Sequence, residues 1–210
     1  VTTLEEDEYP THYHQRLRDE STVAEEDVGA GGASGTDTVG PERQTLFEGH
    51  REYQENQRGV SYTTLLLPYL RGATEITITD PYIRQFHQAR NLMELIGALA
   101  VTKDPAETLK VQLITSETTE GPEKAKKQLE FLIHVKSAAQ MAGIDFDVKL
   151  DPTIHDRSIV ADSGWRINLG RGLDIFQYVS NDAFDLAARV QEYRQVKAFG
   201  VTYIREDDGE

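Results

Sequence analysis

Apolar positions divide the chain near Gly59. Residues 1–58 contain no Ile, Met or Trp and a single Phe, Phe47. A segment this poor in apolar side chains cannot offset its ordering entropy by burial. Its middle, VGAGGASGTDTVG, has the composition of a flexible linker. We read 1–58 as an acidic flexible linker or tail, disordered or only locally ordered, and 207–210 as a short acidic tail.

From Gly59 the pattern becomes regular. Val60–Leu70, VSYTTLLLPYL, reads as a short apolar helix or turn. EITIT at 75–79 is a buried strand stopped by Asp80-Pro81. Phe86, Ala89, Met93, Ile96 and Ala100 recur at three- and four-residue spacing, which predicts an amphipathic helix. LKVQLIT at 109–115 is a second strand. Pro122 opens a helix to about Met141, with Ala125, Leu129, Leu132 and Ala139 on one face, and Gly143 closes it. Phe146–Leu150 is a third strand. Ser158–Ala161 and Trp165–Leu169 flank an Asp162-Ser163-Gly164 turn as a hairpin. A polar helix follows over 184–196, with Arg189, Glu192, Arg194 and Lys197 on a solvated face, and Phe199–Ile204 closes as a last strand. The order predicts an α/β domain over 59–206, a mixed sheet flanked by helices.

Charge changes this picture little. The chain has 36 Asp+Glu against 22 Lys+Arg, a net of −14. Residues 1–40 hold ten acids and two bases, a net of −8, so the remaining 170 residues carry −6. The folded part is mildly acidic, which disfavours nucleic acid and anionic lipid in ordinary salt and is compatible with a salt-loving host. There is no cysteine, hence no disulfide or thiolate metal site. No apolar run reaches membrane-spanning length, and VTTLEEDEYP is no secretory signal, so the default location is cytoplasmic. A first residue of Val suggests a fragment or a non-ATG start. His12, His14, His50 and His134 show no metal-ligand spacing; no metal or cofactor is expected.

Candidate chemistry concentrates in IHDRSIVADSGWRINLGRGLDIF, residues 154–176. His155-x-Arg157 precedes Asp162 by four intervening residues. An imidazole can attack phosphorus, a cation can neutralise phosphate oxygens, and a carboxylate can fix the imidazole tautomer. A His capping a strand and an Arg pairing with a surface carboxylate fit the pattern equally. Asn168 and the Gly170-Arg171-Gly172-Leu173-Asp174 turn could line a phosphate site or merely turn the chain. Trp165 fits either a core position or a ligand platform. A second group, Asp80, Tyr82, Arg84, His87 and Arg90, starts at the end of a strand, where ligands bind in open α/β sheets.

The words SYTTLLLPYL from Ser61, TDPYIR from Thr79 to Arg84, His87, and IHDR…GWRINLGRGLD from Ile154 to Asp174 resemble the phospholipase D-like C-terminal domain found after MIT domains. The His155–Asp162 spacing matches the HxKx4D signature of that superfamily, with Arg157 in place of Lys. The resemblance implies a phospholipase D fold, dimerisation and binding of phosphate-bearing headgroups without demonstrated catalysis. His155, Arg157 and Asp162 are then a degenerate motif, and a complete two-motif site would need a two-fold dimer. The prokaryotic version is similar to the tail of the Lon-like AAA+ ATPase of bacteriophage-exclusion systems. Three readings follow. The first is a non-catalytic interaction and dimerisation module recognising a phosphate-bearing ligand, lipid headgroup or nucleic acid, through Arg84, His155, Arg157 and Arg171. The second is a dimeric, metal-independent phosphodiesterase or nuclease. The third is an accessory part of a phage-defence ATPase.

Overall fold

The computed structural model describes residues 46–206 apart from Asn181 and Ala183. The expected tails at 1–45 and 207–210 lie outside the described residues. In chain order the elements are β1 (Gly49–Tyr53), α1 (Tyr62–Leu65), α2 (Leu67–Leu70), β2 (Glu75–Thr79), α3 (Phe86–Thr102), β3 (Leu109–Thr115), α4 (Pro122–Met141), β4 (Ile144–Leu150), β5 (Ser158–Ala161), β6 (Trp165–Leu169), α5 (Leu186–Arg189) and β7 (Phe199–Arg205). The strands form one mixed sheet in the order β1-β7-β6-β5-β2-β3-β4. β2, β3 and β4 are parallel, and α3 and α4 supply the crossovers that parallel neighbours require. β5, β6, β7 and β1 extend the sheet from β2 as antiparallel neighbours.

The strand period of two decides which face is covered. Ile76, Ile78, Val111, Leu113, Phe146, Ile159, Ile167, Val201 and Tyr203 are buried with the helices in one core. The residues between them, among them Thr77, Gln112, Val160, Arg166, Asn168 and Thr202, are only partly buried or exposed. The described helices therefore pack over one face, and the opposite face carries polar side chains. Each large aliphatic side chain placed in that core contributes about 1.5–3 kcal/mol.

Three expectations change. The segment assigned to the tail enters the sheet: β1 pairs antiparallel with β7 from Gly49↔Tyr203 to Tyr53↔Phe199. The polar helix over 184–196 is reduced to the single turn of α5 and a 3-10 turn at Gln191–Tyr193. The backbone of 192–197 bonds outward instead, to Asn56, Gln57 and Gly59 on one side and to Ile175 and Gln177 on the other. Its Arg194 is not solvated: the side chain is 1% exposed and ion-paired with Glu94. Lastly, Phe86 and Leu129 are exposed rather than on buried helix faces. Gln128 takes the buried place on α4 and satisfies itself fully, donating to Ile83 O and Ser116 O and accepting from Thr118 N–H.

Candidate functional site

The C-terminal end of β2 meets the start of β5, where Thr79 pairs with Ser158. Asp80, the next residue, is 2% exposed. Its Oδ1 accepts from Tyr82 N–H at 3.0 Å and its Oδ2 from Leu173 N–H at 3.0 Å. Burial pushes the Asp80 carboxyl above its ordinary value, against the pull of those two amides and of Arg157. Gly172, at φ +61°, lies against this carboxylate with no room for a Cβ, which would stand 2.0 Å from Oδ2. Leu173 is fixed from its other side as well, its carbonyl accepting from Tyr62 OH at 2.5 Å and Asn91 Nδ2 at 3.1 Å. Asp80 thus stitches the Gly170–Leu173 turn to the end of β2.

Arg157 is held by that turn. Its Nη1 donates to Gly170 O at 2.5 Å, and its guanidinium lies 4.4 Å from the centre of the Tyr82 ring. Arg84 approaches the same ring at 5.4 Å. The Nε atoms of Arg157 and Arg84 are buried without a hydrogen-bond partner. Beside Arg157, on the open face of the sheet, is a cleft of about 490 Å³ lined by Asp156, Ser158, Arg166, Asn168, Thr202 and His50 among others. A guanidinium that is fixed yet incompletely bonded, beside hydroxyl and amide groups, suits an oxyanion.

The structure separates the His155–Asp162 motif. His155 is exposed and has no hydrogen-bond partner among the described residues. Asp162 sits beyond the far end of β5, so five residue steps, roughly 16 Å of extended chain, lie between Arg157 and Asp162. There its Oδ2 accepts from Thr74 Oγ1 at 2.6 Å and from Glu75 N–H at 3.1 Å, and its Oδ1 from Thr74 N–H at 3.0 Å. Asp162 anchors the start of β2 and does not orient the imidazole as expected. Trp165 is at the same far end, buried edge-on to Tyr69 at 5.0 Å, a core residue and not a ligand platform. His87 and Asp174 belong to a second groove of about 410 Å³ with Arg90 and Lys197. Asp174 pairs there with Lys197 at 2.7 Å and with His87 at 3.9 Å. Arg171 donates to Ala198 O at 2.7 Å and lines neither cavity.

Residues 59–205 match the family described as a phospholipase D-like domain at the C-terminus of MIT. The chain belongs to this family. Over 125 residues it is 37% identical to mouse MIT domain-containing protein 1, an overlap that takes in 59% of this chain and 49% of the mouse protein. The chain therefore spans about half the length of that relative.

In this phospholipase D-like domain the motif words map to the hub around Asp80 and Arg157, while other cleft residues were missed. His50, which lines the cleft and bonds Glu52, falls in the segment read as a tail, although the i,i+2 spacing of the two places both on one strand face. Lys197 was assigned to a solvated helix. Gly200 and Thr202 lie in no motif, and Arg166 lies within GWRINLGRGLD without being a candidate there; strand register brings all three to the cleft. Among the described residues no cluster of His, Asp and Glu could hold a metal ion, and no helix is long and apolar enough to cross a membrane.

Proposed function

We propose that this phospholipase D-like domain is a binding module that captures a phosphate-bearing ligand at Arg157 and does not turn it over. The observation that carries this reading is the division of the motif. Arg157 is braced by Gly170 and Tyr82, while His155 has no carboxylate partner among the described residues, Asp162 being committed to Thr74 and Glu75. An imidazole without an orienting group has neither tautomer nor direction fixed, whereas a braced guanidinium still offers directed donors. Arg in place of Lys favours the same outcome, since a displacement of about 1 Å in an in-line reaction costs roughly 100-fold. Assembly into a two-fold dimer, and partnership with an AAA+ ATPase, belong to this reading as the means by which ligand capture would be used.

A second reading, a dimeric metal-independent phosphodiesterase, is favoured by the exposure of His155, which leaves it free to meet its counterpart from a second chain. Binding assays separate the ligand sources. The full chain would be titrated with a soluble phosphodiester, with vesicles of phosphatidylglycerol in phosphatidylcholine, and with single-stranded DNA, alongside Arg157→Ala. Saturable binding to any of them that Arg157→Ala weakens supports capture at Arg157. Binding indifferent to Arg157 contradicts it. Turnover that disappears in His155→Ala would establish the second reading.

A further inference from the structure

The sheet ends at β4, whose outer edge has no neighbouring strand among the described residues. One residue past that strand, Asp151 N–H donates to Thr115 O of β3 at 2.8 Å. Alternation along the strand then turns the backbone of Asp145, Asp147 and Lys149 toward β3, and the N–H and C=O of Phe146, Val148 and Leu150 outward.

Above this edge α4 carries an apolar flank. Leu129 and Ile133 are each two residues from Phe131, which packs edge-on against Phe86 of α3. At 3.6 residues per turn they lie on nearly the opposite side of the helix, away from α3. They are 54% and 52% exposed, and Leu150 at the end of β4 is 47% exposed. Ala125, Leu129, Leu132 and Leu150 line a groove of about 230 Å³. An apolar helix flank beside an open strand edge is a surface shaped for a neighbour.

The strand that fits is β4 itself. Turned antiparallel about Val148, two copies of IDFDVKL oppose Val148 with Val148, Phe146 with Leu150, and Asp147 with Lys149 twice. Centring on Asp147 or Lys149 sets that residue against itself, and centring on Phe146 sets Asp145 against Asp147. The Val148 register alone opposes unlike charges with no like pair inside the strand. Asp147 holds Lys136 of its own chain at 3.2 Å, with both side chains well exposed. Such a surface pair is worth little, so the carboxylate can take Lys149 of the second copy instead. Phe146 and Leu150 share the helix-covered face, so the two α4 flanks meet over the new strand pair.

We propose that β4 and the outer flank of α4 form the surface on which two copies of this chain pair, extending the sheet across a two-fold axis. The inference gives a location to the two-fold assembly named in the proposed function and does not depend on ligand capture. It sets the two Arg157 clefts seven strand spacings apart, roughly 34 Å. The dimer therefore presents two separate clefts and does not join two His155 side chains.

The test is sedimentation equilibrium of the full chain over a range of concentrations. The expected result is a monomer–dimer equilibrium that Leu129→Arg shifts to monomer, with circular dichroism unchanged because Leu129 is exposed. Asp147→Lys and Lys149→Asp should each weaken self-association about tenfold, since two attractive pairs become like-charge pairs. Mixed in equal amounts, these two variants should dimerise with each other at close to the parental affinity, a rescue that damage to the fold cannot produce. Arg157→Ala should leave the dimer intact, so a failure of ligand capture and a failure of this interface are read separately. A chain that stays monomeric at every concentration, which would leave this face to another partner, overturns the inference. So does a dimer indifferent to Leu129→Arg and to both charge reversals.

Discussion

The carboxylate of Asp80 occupies the space that a side chain at Gly172 would need, with Oδ2 2.0 Å from the position of a Cβ there. Two distant parts of the chain, the end of β2 and the turn after β6, are thereby locked together, and Arg157 is braced against that turn through Gly170.

Gly172→Ala should therefore be costly. It combines a Cβ in the left-handed region with overpacking against a buried carboxylate, together roughly 2–4 kcal/mol. Urea unfolding would show the loss as a lower midpoint with little change in slope. Phosphate-probe affinity should fall in the same variant, because the turn that holds Arg157 must shift.

Asp162 should behave as a structural residue. Asp162→Ala removes the acceptor of the Thr74 and Glu75 amides and should cost about 1–2 kcal/mol in thermal or urea unfolding. Affinity for a soluble phosphodiester should remain within about twofold of the parent, less than one hydrogen bond. An Asp162 variant that kept the parent's stability but lost the ligand would contradict its assignment to the β2 anchor.

The two aspartates should give stability opposite pH slopes. Burial raises the Asp80 carboxyl, so its contribution to folding is complete below the ordinary Asp range near 3.9 and is lost as pH rises through the folded value. At Asp162 partial burial is outweighed by the Thr74 hydroxyl and the Glu75 and Thr74 amides, which hold it below its ordinary value. Its contribution is present above the ordinary range and lost as pH falls. Measured between roughly pH 3 and 7, the stability of Asp80→Asn minus that of the parent should rise with pH, and that of Asp162→Asn minus the parent should fall.

The strap after α5 depends on one buried ion pair. Arg194 donates to both Glu94 oxygens, at 2.6 and 2.8 Å, and its Nε to Ala187 O at 2.7 Å. Glu94→Gln leaves the buried Arg194 guanidinium without its carboxylate and should cost about 3–5 kcal/mol, whereas Arg194→Ala should cost less, because Glu94 is partly exposed and keeps Gln191 and Arg90 as partners. The double variant should cost less than the sum of the two, a coupling that a mutant cycle measures.

Much of this arrangement was legible in the residues. β2 and β3 follow their period closely, because each presents a continuous apolar face to the core, and α3 and α4 keep their expected bounds although Phe86 and Leu129 turn outward. β1 was not legible: GHREY is an edge strand with three exposed polar residues, so burial leaves no mark on it. The segment 184–196 has a helix-compatible composition, but its backbone bonds are taken by Gln57, Ile175 and their neighbours, which lie far away in sequence. For the candidate site, the words around Asp80 and Arg157 come together in space, at the junction of β2, β5 and the Gly170–Leu173 turn. The role of Asp162 did not follow from its spacing, since an extended strand carries residues that are close in sequence to opposite ends of a sheet.

The most direct test is to titrate the full chain with bis(p-nitrophenyl) phosphate in a calorimeter while following p-nitrophenol release, for the parent, Arg157→Ala and His155→Ala. The account predicts saturable binding that Arg157→Ala weakens by about tenfold or more, as for loss of a charge-assisted hydrogen bond, and no release of p-nitrophenol from any sample. Catalytic release by the parent that His155→Ala abolishes would contradict it and make this phospholipase D-like domain an enzyme.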